Sequence, residues 1–165
     1  MAEQRPGATR DADRREILIS RTVDAPRDLV FEVFTSVQHL SRWWGPEGFT
    51  TTTNAFDFRV GGVWDFVLHG PDGTDYPEWI TWTEIVPPGR IALLHGESAD
   101  DPNTFVSVLT FASVDAATLI EMRTEFPTRE LRDDAVEKYH AIEGGQQTLG
   151  HLAAYVADLS GKGHR

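Results

Sequence analysis

The 165-residue chain has no cysteine. That single absence removes disulfides, thiolate metal sites, thiol nucleophiles and thiol redox chemistry. The chain also lacks any run of about 18 apolar residues, so no segment reads as a membrane-spanning helix. Its opening stretch, MAEQRPGATRDADRRE, has no apolar block of the kind a secretory signal needs, which makes the cytoplasm the expected location. Basic charge is scarce: 15 Lys and Arg stand against 26 Asp and Glu, for a net charge of −11. Such a balance repels phosphate backbones and anionic lipid heads, so neither nucleic acid nor membrane insertion is expected. No Gly-x-Ser-x-Gly elbow, phosphate-binding glycine loop or dinucleotide fingerprint occurs. What the chain does have is aromatic side chains. There are nine Phe, five Trp and three Tyr, and 12 of them precede residue 85. They either fill a core or line a cavity.

The length suits one domain that buries a substantial core. Residues 1–14 mix Arg, Asp, Gly and Pro with little to bury and read as a flexible tail, as do 161–165, which leaves 15–160 as the structured unit. Glu16 to Val23 alternates as a strand. Asp24-Ala25-Pro26 reads as a helix start with Asp as the cap, and Leu29, Val30, Val33, Phe34 and Val37 follow at helical spacing. A second short helix is expected from Val37 to Trp43, stopped by Gly45-Pro46. Strands are expected at Thr50–Phe58, Val63–Leu68, Glu78–Val86, Arg90–His95, Thr104–Val114 and Thr118–Phe126. Gly61-Gly62, Pro71-Asp72-Gly73 and Pro87-Pro88-Gly89 punctuate them. A short acidic helix follows at Glu130–Lys138. Leu149, Leu152, Ala153, Val156 and Leu159 then form one stripe of a long last helix. Strands and helices segregated in this way imply an α+β domain of about seven antiparallel strands.

Four ordered segments carry a resemblance: VDAPRDLVFEVFTSVQHLSRWWGP, FDFRVGGVWDFVLHGPDG, EIVPPGRIAL and TLGHLAAYV. In that order the chain resembles the SRPBCC superfamily, the START-like or birch-pollen-allergen-like helix-grip proteins. Within it the chain is similar to the branch named after the activator of the heat-shock-protein-ninety ATPase. The resemblance implies a curved antiparallel sheet of six to seven strands wrapped around the last helix, with two short helices after the first strand and a cavity between sheet and helix. Many relatives carry Gly-Trp where this chain has Gly144-Gly145, so an aromatic that would reach into the cavity is missing, which is expected to enlarge or reshape it.

On that resemblance, the candidate cavity residues are Trp44, Phe58, Trp64, Phe66, Trp82 and Met122 for its apolar wall. His69, Tyr76 and His95 are candidates for its polar groups. Tyr139, Gly145 and Leu149 are candidates from the C-terminal part. The residues themselves leave core packing open for every aromatic. Metal binding wants close histidine pairs, which are absent; His140 and His151 on one helix would stand about 16 Å apart. No metal and no cofactor are expected. Asp65 alternates away from Trp64 and Phe66. Glu121, Arg123 and Glu125 read as a solvated strand face, and Asp133, Asp134 and Glu137 as a solvated helix face. Catalytic residues are not assignable.

The leading expectation is a non-catalytic binding protein for a hydrophobic or aromatic small molecule, held in a cavity of several hundred Å³. A cyclase-type enzyme using the same cavity is the alternative, with His69, His95 and Tyr76 as the groups to examine. A co-chaperone module is the third reading. A heat-shock ATPase partner is disfavoured because no second domain accompanies this one. An exposed sheet edge or apolar patch would favour a homodimer.

Overall fold

Inward and outward residues alternate along seven strands. In the computed structural model, which describes residues 15–163, these strands join into one antiparallel sheet. They are β1 (Glu16–Val23), β2 (Thr50–Phe56), β3 (Val63–His69), β4 (Asp75–Val86), β5 (Arg90–Gly96), β6 (Phe105–Val114) and β7 (Ala117–Glu125). Their spatial order is β1-β7-β6-β5-β4-β3-β2. Strands β2 to β7 therefore run as a meander, and β1 adds to β7 with Glu16 opposite Glu125 and Val23 opposite Thr118. Two short helices, α1 (Arg27–Glu32) and α2 (Val37–Trp43), follow β1; α3 (Arg129–Glu137) and the long α4 (Ala141–Gly163) follow β7. This is the α+β arrangement that the sequence pattern implied and the helix-grip layout that the resemblance implied.

One face of the sheet is buried. Ile17 and Ile19 of β1, Trp64 and Phe66 of β3, Ile80 and Trp82 of β4, and Ile91 and Leu93 of β5 point inward. Leu109 and Phe111 of β6 and Ile120 of β7 continue that face. Leu149, Leu152 and Val156 of α4 cover it at helical spacing. Each such side chain contributes about 1.5–3 kcal/mol of transfer free energy when fully buried. The opposite face carries ion pairs beside exposed apolar residues such as Leu18, Leu94 and Val106: Arg123 meets Glu16 at 2.9 Å, Arg15 meets Glu125 at 3.5 Å, and Arg90 meets Glu84 at 2.9 Å. Asp65 lies with Asn54. The solvated strand face expected for Glu121, Arg123 and Glu125 is thus the outer one.

Several boundaries differ from the sequence reading. Helix α1 is capped by Pro26, without a side-chain bond, rather than by Asp24. It ends at Glu32 instead of running to Val37. The reason is tertiary: the indole N–H of Trp43 donates to Val33 O at 3.1 Å, and this buried bond satisfies a carbonyl that a continuing helix would have used. Ser36 then caps α2 by accepting from His39 N. Strand β2 stops at Phe56, after a register shift between Thr53 and Ala55, rather than at Phe58. Helix α4 continues to Gly163, past the expected limit of 160. Residues 1–14 and 164–165, read as tails, lie outside the described residues.

The turns follow their chemistry. Gly73 has φ +89°, and Asp72 accepts from Thr74 N at 3.0 Å, which together with the Thr74 hydroxyl holds its carboxyl below the ordinary carboxylate pKa. Pro87-Pro88 is a cis bond. Among the described residues no helix is long and apolar enough to cross a membrane.

Candidate functional site

A cavity of about 170 Å³ lies between the inner face of the sheet, the end of α2 and α4. Phe34, Trp43 and Trp44 form its wall on the side of the short helices. Leu68, Leu93, Leu109 and Met122 come up from the sheet, and Leu149 closes it from α4. Gly45 and Pro46 form part of the rim. This rim is tied to α4: His151 Nδ1 lies 2.9 Å from Gly45 O and its Nε2 3.1 Å from Glu47 Oε1, while Glu47 N donates to Gln147 Oε1 at 3.0 Å.

The polar lining is sparse and local. His95 of β5, Ser107 of β6 and Thr124 of β7 all reach the cavity from adjacent strands. Ser107 stands opposite Thr124 in the register, and their hydroxyls are 2.9 Å apart in a buried setting. His95 Nε2 lies 2.5 Å from Glu78 Oε1, and both side chains are mostly buried, at 16% and 17% exposure. The imidazole packs on Phe105 with centroids 4.7 Å apart. Thr148 also lines the cavity, but its hydroxyl is spent on Gly144 O.

Of the residues singled out from sequence, the fold brings Trp44, His95, Met122 and Leu149 together at this cavity. Trp64, Phe66 and Trp82 face the same way but are sealed in the core. Trp64 stacks on Phe66 at 3.7 Å, and Phe58 packs edge-on against Trp82 at 4.9 Å. Their neighbours are other rings, so they fill space rather than line it. His69 lies on the other face of β3, bonded to Asp75 Oδ1 and Thr52 Oγ1, each at 2.7 Å. Tyr76 sits at the exposed start of β4 beside Phe49, and Tyr139 is 71% exposed between α3 and α4.

Gly145 has a different role from the one expected. A Cβ built there would lie 2.1 Å from Ile19 Cδ1, so β1 and α4 meet where a side chain would stand. The Cβ position of the missing aromatic is thus taken by the end of the Ile19 side chain, with Met122 next to it.

Ser107, Thr124 and Glu78 were missed by sequence reasoning. Each is a polar residue at an inward position of a strand that also turns apolar residues inward, and that break in alternation was the available signal. Among the described residues no group of three or more His, Asp or Glu side chains is arranged to hold a metal ion.

This geometry can be set beside known proteins. The sequence profile described as "Activator of Hsp90 ATPase homolog 1-like protein" matches residues 24–157. The chain belongs to that family. Among solved structures, it is similar to a protein of Chromobacterium violaceum at 26% identity and TM-score 0.75, covering 86% of this chain and 96% of that one. It is similar to the AHSA1 protein of Silicibacter pomeroyi at 25% identity and TM-score 0.64, covering 86% and 97%. A protein of Arthrobacter aurescens shares the fold at 21% identity and TM-score 0.81, covering 90% and 89%. A search of curated proteins finds no match. The activator-like fold is that of a ligand-binding type of domain, and it leaves the ligand open.

Proposed function

We propose that this activator-like domain binds one small, mainly apolar molecule, an aromatic ring by preference, in the cavity between sheet and α4. The observation that carries the reading is the cavity itself: about 170 Å³, walled by Trp43, Trp44, Leu93, Leu109 and Leu149, with polar groups confined to a few positions. The size is below the several hundred Å³ expected from the sequence. It narrows the ligand to about one ring, since an apolar void of roughly 150 Å³ holds benzene.

A thermal-shift titration tests it. A one-ring aromatic such as toluene, at a hundred times its Kd, should stabilise the protein by about 2.7 kcal/mol. For a domain of this size that is a rise in Tm of roughly 5 °C or more. Leu149→Phe, which fills the cavity from α4, should abolish the rise. No response of the native protein to any one-ring compound would sink the reading.

A catalytic reading has one observation in its favour, the inward-facing His95 with a carboxylate behind it. Mass spectrometry of the recovered ligand separates the two readings, because a binding protein returns it unchanged. The co-chaperone reading has no comparable feature of the cavity behind it.

A further inference from the structure

We infer that the cavity selects a ring bearing a hydroxyl group, a phenol rather than a hydrocarbon, and that His95 with the Ser107–Thr124 pair is the hydroxyl-binding subsite. This rests on the reading of the cavity as a one-ring site and adds its chemical selectivity. Two observations carry it independently.

The first is a count of hydrogens. Ser107 and Thr124 bring two hydroxyl hydrogens, and the single contact between their oxygens uses one of them. Both residues are buried and line the cavity, so the other hydrogen is free to serve a ligand oxygen bound there. A buried donor left without an acceptor is costly, and a ligand oxygen would relieve it.

The second is the orientation of His95. A carboxylate only accepts, so the contact with Glu78 puts a hydrogen on Nε2. Among the described residues no hydrogen bond engages Nδ1. In the tautomer with Nε2–H donating to Glu78, Nδ1 carries the lone pair and is an acceptor. The strand register sets these groups side by side: Leu93 pairs with Ser107, so His95 is diagonal to Ser107, which in turn faces Thr124. One donor and one acceptor on neighbouring strands match a single hydroxyl. Its oxygen accepts from the Ser107–Thr124 pair and its hydrogen goes to His95. A carbonyl would use only the donor, and a hydrocarbon neither.

Phenol and toluene decide the matter, since they differ by one hydroxyl in place of one methyl at nearly equal volume. In an apolar cavity toluene wins, because moving a hydroxyl out of water without a partner costs free energy. Here phenol should bind at least about tenfold tighter by calorimetry. His95→Leu should reverse the order, so that toluene binds more tightly than phenol. The double variant Ser107→Ala/Thr124→Val should do the same; it changes volume little and keeps the proposal falsifiable if His95→Leu fails to fold. Toluene binding as tightly as phenol to the native protein overturns the inference but leaves the one-ring cavity standing. So does a phenol preference that survives both variants. Binding of neither compound to the native protein overturns the one-ring reading and the inference with it.

Discussion

Trp64→Ala is expected to destabilise the domain by about 3–5 kcal/mol, the range for deleting a large aromatic from a packed core. Trp64 is fully buried and has an aromatic neighbour on almost every side. Phe66 stacks on it at 3.7 Å, Trp44 meets it edge-on at 5.2 Å, and Phe56 does so at 6.0 Å. Its indole N–H donates to Thr53 Oγ1 at 3.0 Å across the β2–β3 pair. Rings braced against one another cannot collapse into the gap, so the void persists and the cost falls at the upper end. Trp64→Phe keeps most of the volume and should cost about 1–2 kcal/mol. The two variants also test whether the first-half aromatics form core or cavity. Trp64 does not line the cavity, so Trp64→Phe should leave toluene affinity within about threefold, while Leu149→Phe should do the reverse, abolishing binding at small cost in stability. Urea denaturation measures the first quantity and calorimetry the second. A Trp64→Phe protein of native stability that no longer binds toluene would make Trp64 a ligand residue.

The crowding of aromatics before residue 85 thus has two outcomes in one fold. Phe56, Phe58, Trp64, Phe66 and Trp82 pack among themselves as core. Phe34, Trp43 and Trp44 instead form one wall of a cavity whose sheet side draws mainly on β5, β6 and β7. There the lining residues include Leu93, Ser107, Leu109 and Thr124, with Phe105 beside them and no Trp. The void lies over the strands poorest in Trp, so side-chain size across adjacent strands located it better than aromatic content did.

That contrast also marks how far the sequence was legible. Alternation in segments such as Val63-Trp64-Asp65-Phe66 defined the strands and their faces because one face of the sheet is buried and the other wet. The long last helix was legible from Leu149, Leu152 and Val156 for the same reason. The end of α1 was not, because it depends on a bond from Trp43 to Val33, ten residues away. At the site, Trp44, His95, Met122 and Leu149 were within reach of the family resemblance. Ser107 and Thr124 were not, because what matters is that they face each other, and register between strands does not show in a single chain of letters. The surroundings of Gly145 were hidden for a related reason: a missing side chain looks like space until the neighbour beside it, Ile19, is known.

Gly62→Ala should be nearly as damaging as loss of Trp64, at about 3 kcal/mol or more, although the change adds only one methyl group. A Cβ at this position would lie 2.1 Å from Asp57 O and 3.0 Å from Arg59 O. Both obstacles are backbone atoms, so no rotamer change relieves them and the turn between β2 and β3 must move. That turn is held by backbone bonds at fixed places. Gly61 N donates to Trp82 O at 2.8 Å, Trp82 N donates to Gly62 O at 3.0 Å, and Gly62 N donates to Arg59 O at 2.8 Å. Displacing it breaks the docking of the turn on β4 at Trp82, itself a buried core residue, and each net bond lost is worth about 1 kcal/mol. The neighbouring glycine supplies the control. Gly61 has φ +85° but open space around its Cβ position, so Gly61→Ala meets only the left-handed backbone penalty of about 1–2 kcal/mol. Asn tolerates that region better than Ala, so Gly61→Asn should recover part of the loss, whereas Gly62→Asn should fare no better than Gly62→Ala. Denaturant midpoints of the four variants give the order directly. Equal costs at positions 61 and 62 would mean that backbone conformation, rather than the contact with Asp57 O, makes this glycine pair necessary.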